Sequence, residues 1–178
     1  MSKQWWVVGT IVVAMVVGAV ALVKNSPDNY GVAVNKKAPD FRVLDLATND
    51  TVSLREKYAG QVTLVNIWAT WCAPCREEMP AMEAAYKELA PRGFRVAAVS
   101  IDDGDPAGVL KFAAELGLTF DLLLDQSGEI QRTYQTTGVP ESFLLDHNGV
   151  IIKRIIGTHD WSSKANRDLI ERLLDQQS

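Results

Sequence analysis

The stretch VTLVNIWATWCAPCREEMP, Val62 to Pro80, runs from an apolar segment into an acidic helical pattern, with the chain's only two cysteines at the junction. Val62–Trp68 is a nearly continuous apolar run, as expected of a strand covered on both faces. A helix is predicted from about Ala73 to Ala90, ending near Gly93. Cys72 and Cys75 therefore fall where a central strand hands over to a helix N-terminus. Backbone N–H groups are unpaired there and the helix dipole favours negative charge. Thiols in such motifs ionise at pH values of roughly 3.5–7.5, and the thiolate is the attacking species in disulfide exchange. Cys72 is expected to be exposed and to attack first. Cys75, one turn inside, is expected to be shielded and to resolve the mixed disulfide.

Two other readings of the pair compete. Zinc needs two further ligands, but the only histidines, His147 and His159, lie twelve residues apart, unlike the spacing of zinc modules. A purely stabilising disulfide would close a loop so short that it removes little chain entropy. A C-x-x-C pair beside a βαβ pattern reads instead as redox chemistry.

The helix itself carries a second signal. At 100° per residue, Cys75, Met79, Met82, Tyr86 and Leu89 share one apolar stripe, the face to be buried. Glu78 sits at the edge of that stripe, while Arg76, Glu77, Glu83 and Lys87 are expected to point to water. A carboxylate buried one turn from a thiol has its pKa raised by desolvation and can carry the proton of Cys75. The alternative is that Glu78 reaches out to solvent. Pro80, inside the helix, is expected to kink it.

Outward from this centre the pattern alternates. Phe41–Leu46 and Thr51–Leu54 read as short strands around an Asn49-Asp50 turn. Phe94–Ile101 is a buried strand. Asp105 and Pro106 form a helix start, with Gly117 closing that helix. Phe120–Asp125 is a further strand, followed by a short helix around Gly128–Gln135. Glu141–Asp146 and Val150–Ile156 make a hairpin, and a last amphipathic helix holds Leu169, Ile170, Leu173 and Leu174. The fold class is α/β: one sheet with helices on both faces. Val139-Pro140, in TTGVPESF, precedes a strand and is a candidate cis peptide, with an ordinary trans proline as the alternative.

The N-terminus is of another character. Trp5 to Val23 is nineteen residues without a charge, flanked by Lys3 and Lys24. About 20 such residues span a bilayer core, and Trp5 and Trp6 sit where an interfacial pair would. A cleavable signal peptide competes, since Ala19–Ala21 has the small-x-small form of a cleavage site, although the apolar run exceeds a usual signal core. The expected organisation is residues 1–4 inside, 5–23 a transmembrane signal-anchor, 24–37 a tether, and 38–178 the folded domain. Of 18 basic and 22 acidic residues, four and one respectively precede Ala38, leaving 14 basic and 21 acidic, a net of −7, in the domain. With no long basic run, nucleic-acid binding has no support.

NIWATWCAPC resembles the active site of thioredoxin-like proteins. The N-terminal anchor, APDF at Ala38–Phe41, Glu78 and GVPESF narrow the resemblance to the membrane-tethered TlpA/ResA/CcmG (DsbE) group of bacterial thiol–disulfide oxidoreductases, over Ala38 to about Gly157. That resemblance implies a thioredoxin-like fold with a mixed central sheet and an N-terminal β-extension. It implies Cys72 as nucleophile, Cys75 as resolving thiol and Glu78 as buried acid. It also implies Pro140 as the cis-proline, in a substrate-binding edge formed by Trp71, Val139, Pro140 and Glu141. Asn66 stands where cytosolic thioredoxins carry a buried Asp, a departure that makes Glu78 the proton carrier. No cofactor is implied beyond the redox-active Cys72–Cys75 disulfide. The implied partners are apocytochrome c, a transmembrane thiol electron donor and the bilayer, with the domain on the periplasmic side.

Rival functions find less in the residues. A peroxiredoxin-like peroxidase needs a hydroxyl residue three positions before its reactive cysteine, where this chain has Ala69, and a proline beyond it. A disulfide-forming oxidase or isomerase would stabilise its thiolate with a histidine between the cysteines, where this chain has Ala73-Pro74. Copper delivery wants a wider cysteine spacing with a nearby histidine, and a binding module has no need of both thiols beside Glu78.

Overall fold

The structure is a computed structural model and describes residues 12–15 and 32–176. Residues 12–15 are helical and exposed. The rest of the expected span 5–23 and most of the expected tether lie outside the described residues. Among the described residues, no helix is long and apolar enough to cross a membrane.

Seven strands form one sheet in the order β2-β1-β5-β4-β3-β6-β7: β1 (Arg42–Asp45), β2 (Thr51–Ser53), β3 (Val62–Trp68), β4 (Phe94–Ser100), β5 (Asp121–Leu124), β6 (Glu141–Leu145) and β7 (Ile151–Ile156). The β3–β4 and β4–β5 pairs are parallel, and the β1–β2, β1–β5, β3–β6 and β6–β7 pairs are antiparallel. The sheet is thus mixed, with the β1–β2 hairpin added beside β5, in agreement with the sequence reading. Every residue of β3 and of β6 is buried. A strand in the centre of the sheet has both faces covered, which is why its sequence is continuously apolar rather than alternating.

The helices are α1 (Leu54–Lys57), α2 (Ala73–Leu89), α3 (Pro106–Leu116), α4 (Glu129–Thr133) and α5 (Lys164–Asp175), with a 3₁₀ turn at Ala90–Arg92. The sheet separates two cores. On one side Leu64, Trp68, Met79, Met82, Phe112 and Ile170 pack together, bringing α2, α3 and α5 onto that face. On the other, Val65, Ile67, Phe143, Ile130 and Leu54 gather α4 and α1. Fully burying such side chains stabilises by about 1.5–3 kcal/mol each. Trp68 and Phe112 rings lie 5.0 Å apart, tying α3 to the end of β3.

Local signals act as read. The Asp105 side chain accepts from the Ala107 N–H at 2.9 Å, capping α3 with Pro106 in its first turn, and Gly117 ends it at φ 64°. A left-handed residue at that position favours glycine because no Cβ opposes it. The helix α2 continues unbroken through Pro80, which is exposed.

Two expectations are corrected. Glu83 does not point to water: it is 5% exposed and accepts from the Thr119 N–H at 2.9 Å and the Thr119 hydroxyl at 2.6 Å, with Lys87 at 3.0 Å. It ties α2 to the loop after α3, a contact that helical periodicity cannot disclose. Residues 32–37, read as the end of the tether, belong to the folded unit. Val32 is buried, Lys37 bridges Val150, and the Asn35 and Ile151 N–H groups donate to Ile151 and Lys36 carbonyls at 2.8 and 2.9 Å. The outer edge of β7 supplies unpaired backbone groups there, and this segment satisfies some of them.

Candidate active site

The strand β3 ends at Trp68, and a tight turn carries the chain into α2, with the Cys72 N–H donating to the Ala69 carbonyl at 3.2 Å. Cys72 is the N-cap of α2, and its Sγ accepts from the Cys75 N–H at 3.1 Å. An N–H that would otherwise lack a partner in the helix's first turn is therefore aimed at the sulfur, which is the interaction that stabilises a thiolate. Cys72 and Cys75 form a disulfide. Their burial differs from expectation, since Cys72 is only 5% exposed and Cys75 is fully buried. The order of access is as read, but Cys72 is sheltered rather than open, because its sulfur folds back over the helix N-terminus. Trp71, immediately before it, is 69% exposed.

Glu78 is 2% exposed. Its Oε1 accepts from the Asn66 side-chain amide at 2.8 Å, and its Oε2 accepts from the His159 N–H at 3.1 Å. Burial pushes the carboxyl up to about 7, and the donors from His159 and Asn66 hold it from rising further. The reading in which Glu78 reaches solvent is thereby excluded. Asn66 also donates to the Ser142 hydroxyl at 2.9 Å. A polar chain thus runs from β6 through β3 to α2, beneath the dithiol. His159 reaches this chain from the loop between β7 and α5. Its ring nitrogen Nε2 lies 2.8 Å from the Asn166 amide and 3.1 Å from Lys153 Nζ, which places that loop.

The Val139-Pro140 peptide is cis. The register pairs Ile67 with Glu141, so Pro140 lies beside the end of β3 from which the cysteine turn departs. Pro140 is buried and Val139 half-buried, and the Pro140 carbonyl accepts from the Gly157 N–H at 2.8 Å. Cys72, Cys75, Trp71, Val139 and Pro140 therefore share one end of the sheet.

Glu141 does not join them. Successive strand residues point to opposite faces, so Glu141 lies on the face away from Asn66 and Ser142. It is fully buried, and its Oε1 accepts from Arg154 Nε at 2.6 Å. The reading of Glu141 as a substrate contact is corrected: the ion pair occupies its carboxylate, and no surface of the side chain reaches solvent. Sequence reasoning passed over Ser142 and the His159 backbone. Ser142, like Asn66, is a polar residue inside a buried strand, and that mismatch with an apolar run was the available signal. The His159 N–H carries no side-chain signal at all.

A C-x-x-C disulfide capping the helix after a central strand, with a cis-proline at the same sheet end, defines a thioredoxin-like thiol–disulfide oxidoreductase. The Redoxin family matches residues 33–169. The chain is 36% identical over 132 residues to the thiol-disulfide oxidoreductase ResA of Geobacillus kaustophilus, covering 74% of each chain. It is 38% identical over 135 residues to the thioredoxin-like protein YneN of Bacillus subtilis, covering 75% of this chain and 77% of that one. Among solved structures, a thiol:disulfide interchange protein of the thioredoxin family from Chlorobium tepidum superimposes with a TM-score of 0.67 at 26% identity, over 80% of this chain and 98% of that one. The chain belongs to the Redoxin family and, within it, to the TlpA/ResA/CcmG-type thiol–disulfide oxidoreductases.

Proposed function

We propose that the protein is a reductant of disulfides in exported proteins, with the haem-binding thiols of apocytochrome c as its substrate class. The observation that carries this reading is the buried Glu78, its carboxyl raised to about 7, one turn beyond the resolving thiol. A base of that pKa is matched to neutral pH. In the forward reaction the Cys72 thiolate attacks one sulfur of the substrate disulfide, and the other substrate sulfur leaves and takes up a proton. Glu78 accepts the Cys75 proton, and the Cys75 thiolate then attacks Cys72 Sγ. The Cys72–Cys75 disulfide forms and the second substrate thiol is released, so two electrons and two protons pass to the substrate. A dithiol electron donor in the membrane returns the protein to its reduced form.

The apolar run 5–23 anchors the chain in the cytoplasmic membrane with residues 1–4 inside and the catalytic domain on the periplasmic side. Its length, its flanking lysines and Trp5-Trp6 support this placement. Exposed Trp71, with Val139 and Pro140, provides the docking edge for an extended substrate segment.

The test is the reduction potential of the Cys72–Cys75 couple in a glutathione or dithiothreitol buffer, together with reduction of an oxidised C-x-x-C-H peptide. A value near the roughly −270 mV of a reducing thioredoxin, with turnover of the peptide, is expected. A value near the roughly −120 mV of a strong oxidant, with no peptide reduction, overturns the reading in favour of disulfide formation.

A further inference from the structure

The residue after β4 that touches the cysteine turn is Asp102, 8% exposed. Its carboxylate accepts from the Thr70 N–H at 3.0 and 3.3 Å, from the Thr70 hydroxyl at 2.6 Å and from the Ser100 hydroxyl at 2.6 Å. The Asp102 N–H donates to Ser100 Oγ at 3.1 Å, closing a small ring around a fully buried serine. One residue earlier, the Ile101 N–H donates to the Trp68 carbonyl at 2.9 Å. Thr70 is the second residue of the Ala69–Cys72 turn, so its backbone and its side chain are both held by one carboxylate. Every contact of the Asp102 side chain is made as an acceptor, and it takes part in none of the ion pairs among the described residues. Both oxygens accept, Oδ1 from the Thr70 hydroxyl and Oδ2 from the Ser100 hydroxyl, so the group that holds the turn also brings a negative charge to it.

We propose that Asp102 is a positioning residue of the exchange reaction that fixes the turn presenting Cys72 and, through its negative charge, makes the dithiol more strongly reducing. The proposal rests on the assignment of Cys72 and Cys75 as the working couple and deepens it. The helix N-terminus favours the Cys72 thiolate, whereas a carboxylate behind the same turn opposes it. Disfavouring the thiolate disfavours the reduced form, so the couple gives up electrons more readily. Other charged groups about the site include Glu78 on α2, Arg76 on α2 paired with Glu115 of α3 at 3.3 Å, Lys153 of β7 with His159 behind Glu78, and buried Asp125, whose N–H donates to the Ser100 carbonyl at 2.9 Å. Only Asp102 is bonded to the turn itself among these groups.

The experiment titrates the Cys72 thiolate and measures the reduction potential in D102N, D102E and T70V. D102N loses the charge and one of the two acceptor oxygens, a loss that T70V reproduces in part without touching the charge. It is expected to shift the dithiol–disulfide equilibrium toward the dithiol on the order of tenfold, about 30 mV less reducing, with a matching rise in thiolate at fixed pH. D102E restores the charge and is expected to return both readings toward wild type. T70V removes one donor but no charge, and is expected to slow exchange while leaving the potential in place. Wild-type potential and thiolate titration in D102N overturn the proposal, as does a T70V shift equal to that of D102N. If D102N does not fold, the D102E and T70V comparison decides it alone: a T70V potential displaced from a wild-type-like D102E overturns it. A wild-type potential near that of a strong oxidant defeats the reductant reading above, while the difference between variants still tests Asp102.

Discussion

The Asn66 side-chain amide lies 2.8 Å from Glu78 Oε1, joining the central strand to the helix that carries both cysteines. Asn66 is fully buried and Glu78 nearly so. The buried carboxyl is thus held from the sheet, not from its own helix; burial raises its affinity for protons, and the His159 N–H and the Asn66 amide, twelve positions earlier, moderate it.

The proposed mechanism gives the two cysteines unequal tasks. Cys72→Ser is expected to abolish disulfide exchange. Cys75→Ser is expected to leave the first attack intact and to accumulate mixed disulfides with substrate, visible by mass spectrometry under non-reducing conditions. Equal loss in both variants with no trapped species contradicts the assigned roles.

Glu78→Gln is expected to slow resolution by about 10²-fold or more and to flatten the limb of the pH–rate profile centred near 7. Stability moves with it. The folded-state pKa, about 7, lies above the ordinary 4.5, so the group's favourable contribution is complete below about pH 4.5 and is lost as pH rises through 7. The wild-type protein is therefore less stable at pH 8 than at pH 4.5 by roughly 3 kcal/mol from this group. In Glu78→Gln that difference disappears, as urea melts at the two pH values will show.

Asn66→Asp replaces a donor to Glu78 with a second carboxylate at the same distance. Two like charges in one buried site cannot both ionise readily, so the pair will titrate with one apparent pKa well above 7. Resolution of the mixed disulfide is expected to peak at higher pH than in the wild type. An unmoved optimum means that Asn66 does not govern the titration of Glu78 in the reaction.

Arg154→Met removes the cation from a carboxylate that is fully buried and whose Oε2 has no other partner. The expected loss is about 3–5 kcal/mol, measured by chemical denaturation. Replacing both Glu141 and Arg154 with methionine is expected to restore most of that stability, because no unpaired charge is then buried. Retained exchange activity in the double variant would agree with Glu141 lying away from the substrate edge.

The α/β architecture, the cysteine pair at a strand–helix junction and the acid on a helix face were legible in order along the chain. Each is local: an apolar run of seven residues, a cap, a 100° periodicity. Strand registers were not legible, and with them went the faces of single residues. Glu141 stands beside Pro140 in sequence, yet the pleat turns it to the opposite core and onto Arg154. Glu83 fell in a polar sector of its helix, but the loop bearing Thr119 closes over it.

What the sequence by itself determined is the set of candidates: a thiol pair at a strand–helix junction, a carboxyl one turn further on and the kind of fold that brings them together, since spacing within one strand–helix unit decides that. Only the tertiary structure decided how that chemistry is tuned. The Asn66 amide, the His159 N–H and the Asp102 carboxylate come from β3, the β7–α5 loop and the end of β4, and they meet the site through the sheet. The physical reason is that desolvation and hydrogen bonding act through space over a few ångströms, and chain separation says nothing about them until the strands have paired.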